Sequence, residues 1–375
     1  MGVYKKEYDM KICLISNIAA HYREEIYSLM DSELDCDFVF GDTLNNGIKT
    51  FDTSHFRNKV KILHNFQKGE VTLWQKGVVK ELLKNYDAYI ISDDIRCFST
   101  WVNMLLSKVL RKKVYYWAHG WYGRERLILK LIKHIFYRLP DGIFLYGNYS
   151  RDIMIQNGFN HNKLWVIHNS LSYSRQYAIR TKQNPSNIYK NHFSNSYPTL
   201  IYIGRLTAYK KLHMILEAIK LLEDDNLKCN LVLVGDGAEK ESLIKKVEVM
   251  GLNDKVWFYG ACYDEEANAE LIYNADLCVS PGNIGLTAIH VMMYGTPAIT
   301  HNDFRYQGPE YEAILPGKTG DFYEYDDVAS LASTISKWLQ TYNDKRNAIR
   351  KSCFDEIDSY WTPQYQLKVI QDNIQ

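Results

Sequence analysis

Arg205 and Lys210 stand in "IYIGRLTAYKKL", directly after an apolar run that ends at Gly204. Two cations at the mouth of a strand suit a diphosphate, because Arg binds two oxygens as a planar fork and Lys acts as a point charge. The same pair is equally readable as solvated cations near a helix start. A second stretch, "SPGNIGLTAIHVMMYGTPAITHND" (280–303), reads as a strand end, a turn at Pro281 and Gly282, and a helix opening at Gly285, Leu286 and Thr287. Free N–H groups at such a junction, with Asn283 beside them, would face a phosphate. The stretch has no carboxylate before Asp303, and the one base on its helix is His290; such a His is either a ligand contact or a packed side chain.

Weaker signals lie around these. "LVLVGDGAEKESL" runs a strand into Gly-Asp-Gly, which permits a tight turn and close backbone approach to a ligand, but it lacks the full Gly-x-Gly-x-x-Gly of a dinucleotide site. "VWFYG" ends at Tyr259 and Gly260, where a base could lie against backbone. In the first half, "VYYWAHGWYGRER" ends a strand at His119 and Gly120, and "SNIAAHYREEI" offers His21, Tyr22 and Arg23. "ISDDIR" puts Asp93 and Asp94 at another strand end, where they line a cleft or cap a helix.

The elements that must position these residues follow one rhythm. Short apolar runs at 10–16, 36–40, 88–92, 113–118, 142–147 and 163–168 alternate with helical patterns at 21–31, 71–86, 100–111, 124–138 and 149–157. The rhythm lapses at 171–198, read as an interdomain connection, and restarts with strands at 199–204, 230–235, 255–260, 275–280, 297–301 and 320–325. Helices are predicted at 211–223, 238–250, 264–273, 286–294 and 326–341. Continuous apolar strands with helical crossovers predict parallel sheets covered on both faces. The division is 1–170, a connection over 171–198, and 199–355, with a C-terminal helix at about 356–375 packing back on the first domain. Ligands of such folds bind at the carboxyl ends of the strands.

Taken together, "GRLTAYKK", "VGDG", "VWFYG", "PGNIGLTAIHVMMYGTPAIT" and "YEAILPGKTGDFY" resemble the donor domain of the family-4 retaining glycosyltransferases, and "WVIHNS" resembles the segment that closes their first domain. The resemblance is strongest over about 163–325. It implies the α/β GT-B fold, with two Rossmann-like, doubly wound domains facing a central cleft. It implies a nucleotide-diphosphate sugar, UDP- or GDP-linked, as donor substrate, with no separate cofactor and no metal. Arg205 and Lys210 match the diphosphate-binding pair. Gly285, Leu286 and Thr287 match the backbone segment at the diphosphate and donor sugar, and Glu312 matches a later structural Glu. The family's paired glutamates, one at the donor sugar and one at the ribose hydroxyls, fall on Gly282 and His290, so neither position is acidic. His290 is then expected to hold the ribose and Asn283 to help with the sugar. His119 matches the His near the reacting sugar, so that His119, Arg205 and Lys210 carry the chemistry.

Bulk properties narrow the partners. A formal net charge of +1 over 375 residues gives no reason to expect nucleic acid. Seven scattered cysteines without a Cys-x-x-Cys suggest neither disulfide framework nor zinc site and fit a reducing cytosol. No signal-peptide region or run of membrane-spanning length is present, so a cytoplasmic location is expected. The helix within 124–139 places Leu127, Ile128, Leu131, Ile132, Ile135 and Leu139 on one side. It reads either as a helix packed on its sheet or as a peripheral contact with an anionic membrane. The activity expected is sugar transfer to a glycan or polyprenol-linked acceptor in capsule, exopolysaccharide or O-antigen synthesis. The rivals are a nucleotide-sugar epimerase or hydrolase, and a glycosyltransferase-like binding subunit.

Overall fold

The computed structural model describes residues 10–44 and 48–374. The chain divides into two compact units, residues 1–172 with 362–375, and residues 173–361.

In the first unit, strands β1 (Lys11–Ser16), β2 (Asp35–Gly41) and β3 (Val60–Leu63) are followed by a hairpin of β4 (Asn65–Lys68) and β5 (Val71–Gln75). Strands β6 (Ala88–Ser92), β7 (Lys113–Ala118), β8 (Gly142–Leu145) and β9 (Leu164–Val166) complete it. Seven of these form one parallel sheet in the order β3-β2-β1-β6-β7-β8-β9. The strands are apolar on both faces because both are covered. Side chains such as Ile12, Leu14 and Phe38 pack to one side and Cys13, Tyr89 and Tyr116 to the other. Helix α1 (Glu24–Glu33) covers the first face, and α2 (Phe98–Val109), α3 (Leu127–Phe136) and α4 (Asn148–Gln156) the second.

The second unit opens with α5 (Tyr173–Arg180) and α6 (Ile188–Phe193), so the segment 171–198 is not an irregular connection. Gln176, Ile179, Arg180 and Tyr189 are buried there, and the Tyr189 hydroxyl donates to the Leu271 carbonyl at 2.6 Å. Spaced three, one and nine apart, these residues show too short a pattern to stand out before their tertiary partners are known. Strands β10 (Thr199–Ile203), β11 (Asn230–Val234), β12 (Val256–Gly260), β13 (Leu277–Val279), β14 (Ala298–His301) and β15 (Gly320–Tyr323) form a parallel sheet ordered β12-β11-β10-β13-β14-β15. Helices α7 (His213–Asp224), α8 (Lys240–Met250), α9 (Glu265–Asn274), α10 (Thr287–Met293), α11 (Val328–Tyr342) and α12 (Arg346–Tyr360) lie between and after them.

Three further expectations give way. The helix predicted over 71–86 is instead β5 and a short 3-10 turn, Val78–Leu83, because Gly77 adopts a left-handed φ of 87° between them. The terminal helix is two: α12 ends before Trp361, and α13 (Pro363–Asn373) restarts in the first unit. Thr362 accepts from the Tyr365 amide at 3.1 Å and Pro363 takes the first helical position, which together make a helix start. Finally, the aliphatic side of α3 does not pack on its sheet; Phe136 is the helix's buried residue.

In both sheets, the strand order reverses beside the first strand of the unit. That switch lies between β1 and β6 and between β10 and β13. Loops leaving the carboxyl ends of such neighbouring strands diverge to opposite faces and leave a crevice.

Candidate functional site

The sequence motifs of the second unit fall on that crevice. Gly204, Arg205 and Lys210 follow β10, while Gly282 to Thr287 follow β13. The Thr287 hydroxyl donates to the Ile203 carbonyl at 3.0 Å, pinning the start of α10 to the end of β10. Lys210 is buried, its Nζ donates to the Asn283 carbonyl, and it forms no ion pair among the described residues. Desolvation, then the neighbouring Arg205 cation, lowers its pKa to about 8, partly opposed by the buried Glu310. Arg205 is exposed, and its guanidinium has no hydrogen-bond or ion-pair partner among the described residues. Burying an ammonium without a counter-ion is unfavourable. An anion at this crevice would supply what the fold withholds.

Lys210 is protonated at neutral pH and discharges as pH rises through about 8. Anion binding that depends on it should therefore be intact below that pH and weaken above it. A pH profile of kcat/KM is expected to bend downward near pH 8, and Lys210→Arg should move that bend to higher pH. A profile flat to pH 10 would show that the Lys210 charge is not used.

The other residues of the stretch are tied into its frame. Asn283 donates from Nδ2 to the Tyr306 carbonyl at 3.0 Å, so it holds the loop rather than reaching outward. The Ile284 amide donates to Gln307 Oε1 at 3.0 Å, and Thr300 Oγ1 donates to the Ser280 carbonyl at 2.8 Å. Gly285 takes a left-handed φ of 53°. The amides of Gly285, Leu286 and Thr287 make no hydrogen bond among the described residues. Gly282 answers why no glutamate stands there. A Cβ on it would lie 2.1 Å from the Tyr209 carbonyl and 2.7 Å from Lys210 Cα, and its amide donates to the Lys210 carbonyl at 3.0 Å. The loop carrying Lys210 occupies the space a side chain would need. The glycines of "VGDG" act in the same way, since a Cβ at Gly235 would meet the Gly204 carbonyl at 1.9 Å. Their close approach is to the neighbouring loop, not to a ligand.

His290 is not free. Its Nε2 lies 3.0 Å from Glu265 Oε1, which also accepts from the Tyr294 hydroxyl at 2.7 Å and from Gln176 Nε2 at 2.9 Å. Burial pushes the Glu265 carboxyl up, but His290, Tyr294 and Gln176 outweigh it and hold it at about 2. A carboxylate therefore does stand beside α10, delivered from the first residue of α9. Sequence reasoning missed Glu265 because it lies 25 residues away, at a helix start that acidic residues favour for other reasons. Glu312, matched earlier as structural, lies in a 3-10 turn, Pro309–Ala313, whose Glu310 is the carboxylate acting on Lys210.

In the first unit the loops after β1, β6 and β7 line a cavity of about 250 Å³. Arg23, Asp93, Asp94, Trp117, His119 and Tyr146 are among its walls. Arg23 donates to Tyr27 Oη at 3.2 Å and to Tyr146 Oη, and lies 5.3 Å from the Trp117 ring. Burial pushes the Asp93 carboxyl up to about 6, although Tyr137 donates to it. The His119 imidazole is held below its usual range by desolvation, then by the Arg23 and Lys133 cations. Its ring is exposed, so solvent weakens both influences. His119 makes no hydrogen bond among the described residues, and its ring lies tilted 4.7 Å from that of Tyr146. His21 sits outside this wall, bonded to the Lys49 carbonyl at 3.2 Å. Among the described residues no group of three or more His, Cys, Asp or Glu could hold a metal ion.

Comparison with known proteins fits this geometry. Residues 184–353 match the sequence model of the family described as glycosyl transferases group 1. Over 275 residues, 72% of this chain and 67% of the relative, the chain is 23% identical to an uncharacterized 41.2 kDa protein in the cps region of Klebsiella pneumoniae. Over 143 residues it is 30% identical to glycogen synthase of Mycobacterium tuberculosis, a match covering 37% of this chain and 33% of that relative. The structure of Anabaena HepE in complex with UDP superposes with a TM-score of 0.69 at 17% identity, covering 97% of this chain and 99% of that one. Two parallel Rossmann-like sheets with crevices at their switch points give this chain the GT-B fold. Over residues 184–353 it is similar to the glycosyl transferases group 1.

Proposed function

We propose that this protein transfers a sugar from a nucleotide-diphosphate donor, UDP- or GDP-linked, to a glycan or lipid-linked saccharide, with retention and without a metal or separate cofactor. The observation that carries this is Lys210, a buried ammonium that forms no ion pair among the described residues and whose charge Glu310 offsets only in part, set beside Arg205 at the switch point. Their two charges neutralise the leaving diphosphate as the glycosidic bond breaks, with the loop amides of 285–287 as further donors. The acceptor hydroxyl attacks from the same face, and its proton passes to the leaving phosphate oxygen. His119, held neutral, hydrogen-bonds the reacting sugar. The UDP in the Anabaena structure and the capsule-region setting of the Klebsiella relative support a nucleotide donor and a role in surface-polysaccharide assembly at the cytoplasmic face of the membrane.

Nucleotide release across a panel of donors, with and without lipid-linked acceptor, tests the reading. Release stimulated by acceptor supports transfer; product formed without acceptor supports an epimerase or hydrolase; silence with every donor leaves a binding subunit. In this reading the Glu265–His290 pair holds the ribose in place of the family's second glutamate. Glu265→Gln is expected to weaken nucleotide binding by about tenfold, the scale of one charged hydrogen bond, as read by calorimetry. Unchanged affinity in Glu265→Gln would reduce the pair to a packing contact.

A further inference from the structure

Helix α3 turns its aliphatic side to solvent. Leu127 is 85% exposed, Ile128 77%, Leu131 62% and Ile135 52%. Helix α2 adds a second exposed stripe, with Leu105 at 58% and Val109 at 78%. The two helices cover the same face of the sheet and meet where the Trp101 and Phe136 rings lie 4.9 Å apart. Isolated exposed aliphatics are ordinary, but two helices exposing their apolar stripes on one side are not. Charge accompanies the patch. Residues 93–141 hold ten Lys or Arg and four acids, of which Asp94, Glu125 and Asp141 pair with Arg96, Lys133 and Lys108. Lys130 on α3, Arg126 just before it and Arg111 after α2 are exposed around the patch.

We infer that the α2–α3 face of the first unit docks on an anionic lipid surface, with the aliphatic side chains entering the headgroup boundary and the cations pairing with lipid phosphates. A second copy of the chain is a poorer occupant, because a two-fold contact through this face would set its cations against themselves. The inference rests on the reading above only for its purpose, which is to bring the enzyme to a lipid-linked acceptor. The docking itself stands on the surface.

The test is flotation of the full chain with vesicles of phosphatidylcholine alone and of phosphatidylcholine with phosphatidylglycerol. Binding is expected to the anionic vesicles, to fall with added salt, and to drop by at least about tenfold in Leu127→Glu/Leu131→Glu. Both substituted residues are exposed, so an unchanged Tm should accompany the loss. Wild-type chain that stays unbound with anionic vesicles, or a double variant that floats as well as wild type, overturns the inference. So does a concentration-dependent dimer that the double variant abolishes, which would make the face a self-interface. Nucleotide release across the donor panel, with and without lipid-linked acceptor dispersed in neutral detergent rather than vesicles, separates the two ideas. If it is absent with every donor while flotation persists, the transferase reading fails and the docking surface stands.

Discussion

Lys210→Met is expected to lower kcat/KM for sugar transfer by about 10²–10³-fold, the scale of removing one preorganised donor to developing charge, while leaving the protein at least as heat-stable as wild type. The two halves of that result have one origin. The unfolded chain holds the Lys210 proton up to about pH 10.4, whereas the folded chain holds it only to about 8. The unfolded state therefore binds more protons between those values, and the charged form is disfavoured by folding at every pH below about 8. That penalty is on the order of 3 kcal/mol. Methionine fills similar volume without the charge, so it removes the penalty along with the function. Arg205→Ala should reduce turnover comparably but leave Tm unchanged, because the exposed guanidinium adds little to stability. The check is steady-state kinetics beside thermal unfolding of both variants. Near-wild-type rates would end the diphosphate assignment, and a Tm several degrees below wild type in Lys210→Met would show that the lysine is there for the fold.

Gly282→Glu, which places at this position the acid that the family resemblance implies, is expected to damage the protein rather than improve it. The new Cβ would sit 2.1 Å from the Tyr209 carbonyl and 2.9 Å from the Lys210 carbonyl carbon. Both are backbone, so relief requires moving the turn Ala208–Lys210 and breaking the 3.0 Å bond from the Gly282 amide to the Lys210 carbonyl. A forced backbone shift of this kind costs about 1–3 kcal/mol, and here the displaced segment carries the Lys210 cation. Turnover should fall at least about tenfold for each kcal/mol or so by which Lys210 is misplaced, and Gly282→Ala should share the defect because the clash begins at Cβ. A Gly282→Glu enzyme with normal stability and raised turnover would show that the loop opens freely. The donor sugar could then meet the carboxylate that the family resemblance implies.

Much of this was legible in the residues themselves. Parallel strands announce their double burial by continuous apolar runs, and the cations and glycines at their ends are local in sequence, so "GRLTAYKK" and "PGNIGLT" could be placed at strand mouths directly. The hairpin at 65–75 was not, because a run of Val, Thr, Leu and Trp fits a short helix until Gly77 is seen to turn left-handed. Nor was the departure at Gly282 and His290 interpretable, since a missing side chain says nothing about what occupies its space.

By itself, then, the sequence determined two doubly wound domains, an Arg205–Lys210 pair after β10 and a helix start after β13, because each depends on contacts or propensities within a few residues. Only the tertiary structure decided that Lys210 is buried without a counter-ion, that Glu265 reaches His290 across 25 residues, and that α3 turns its aliphatic side outward. Those are questions of which surfaces meet. Charge burial, a hydrogen bond between distant elements and the facing of an amphipathic helix are all set by neighbours that the order of residues along one segment does not name.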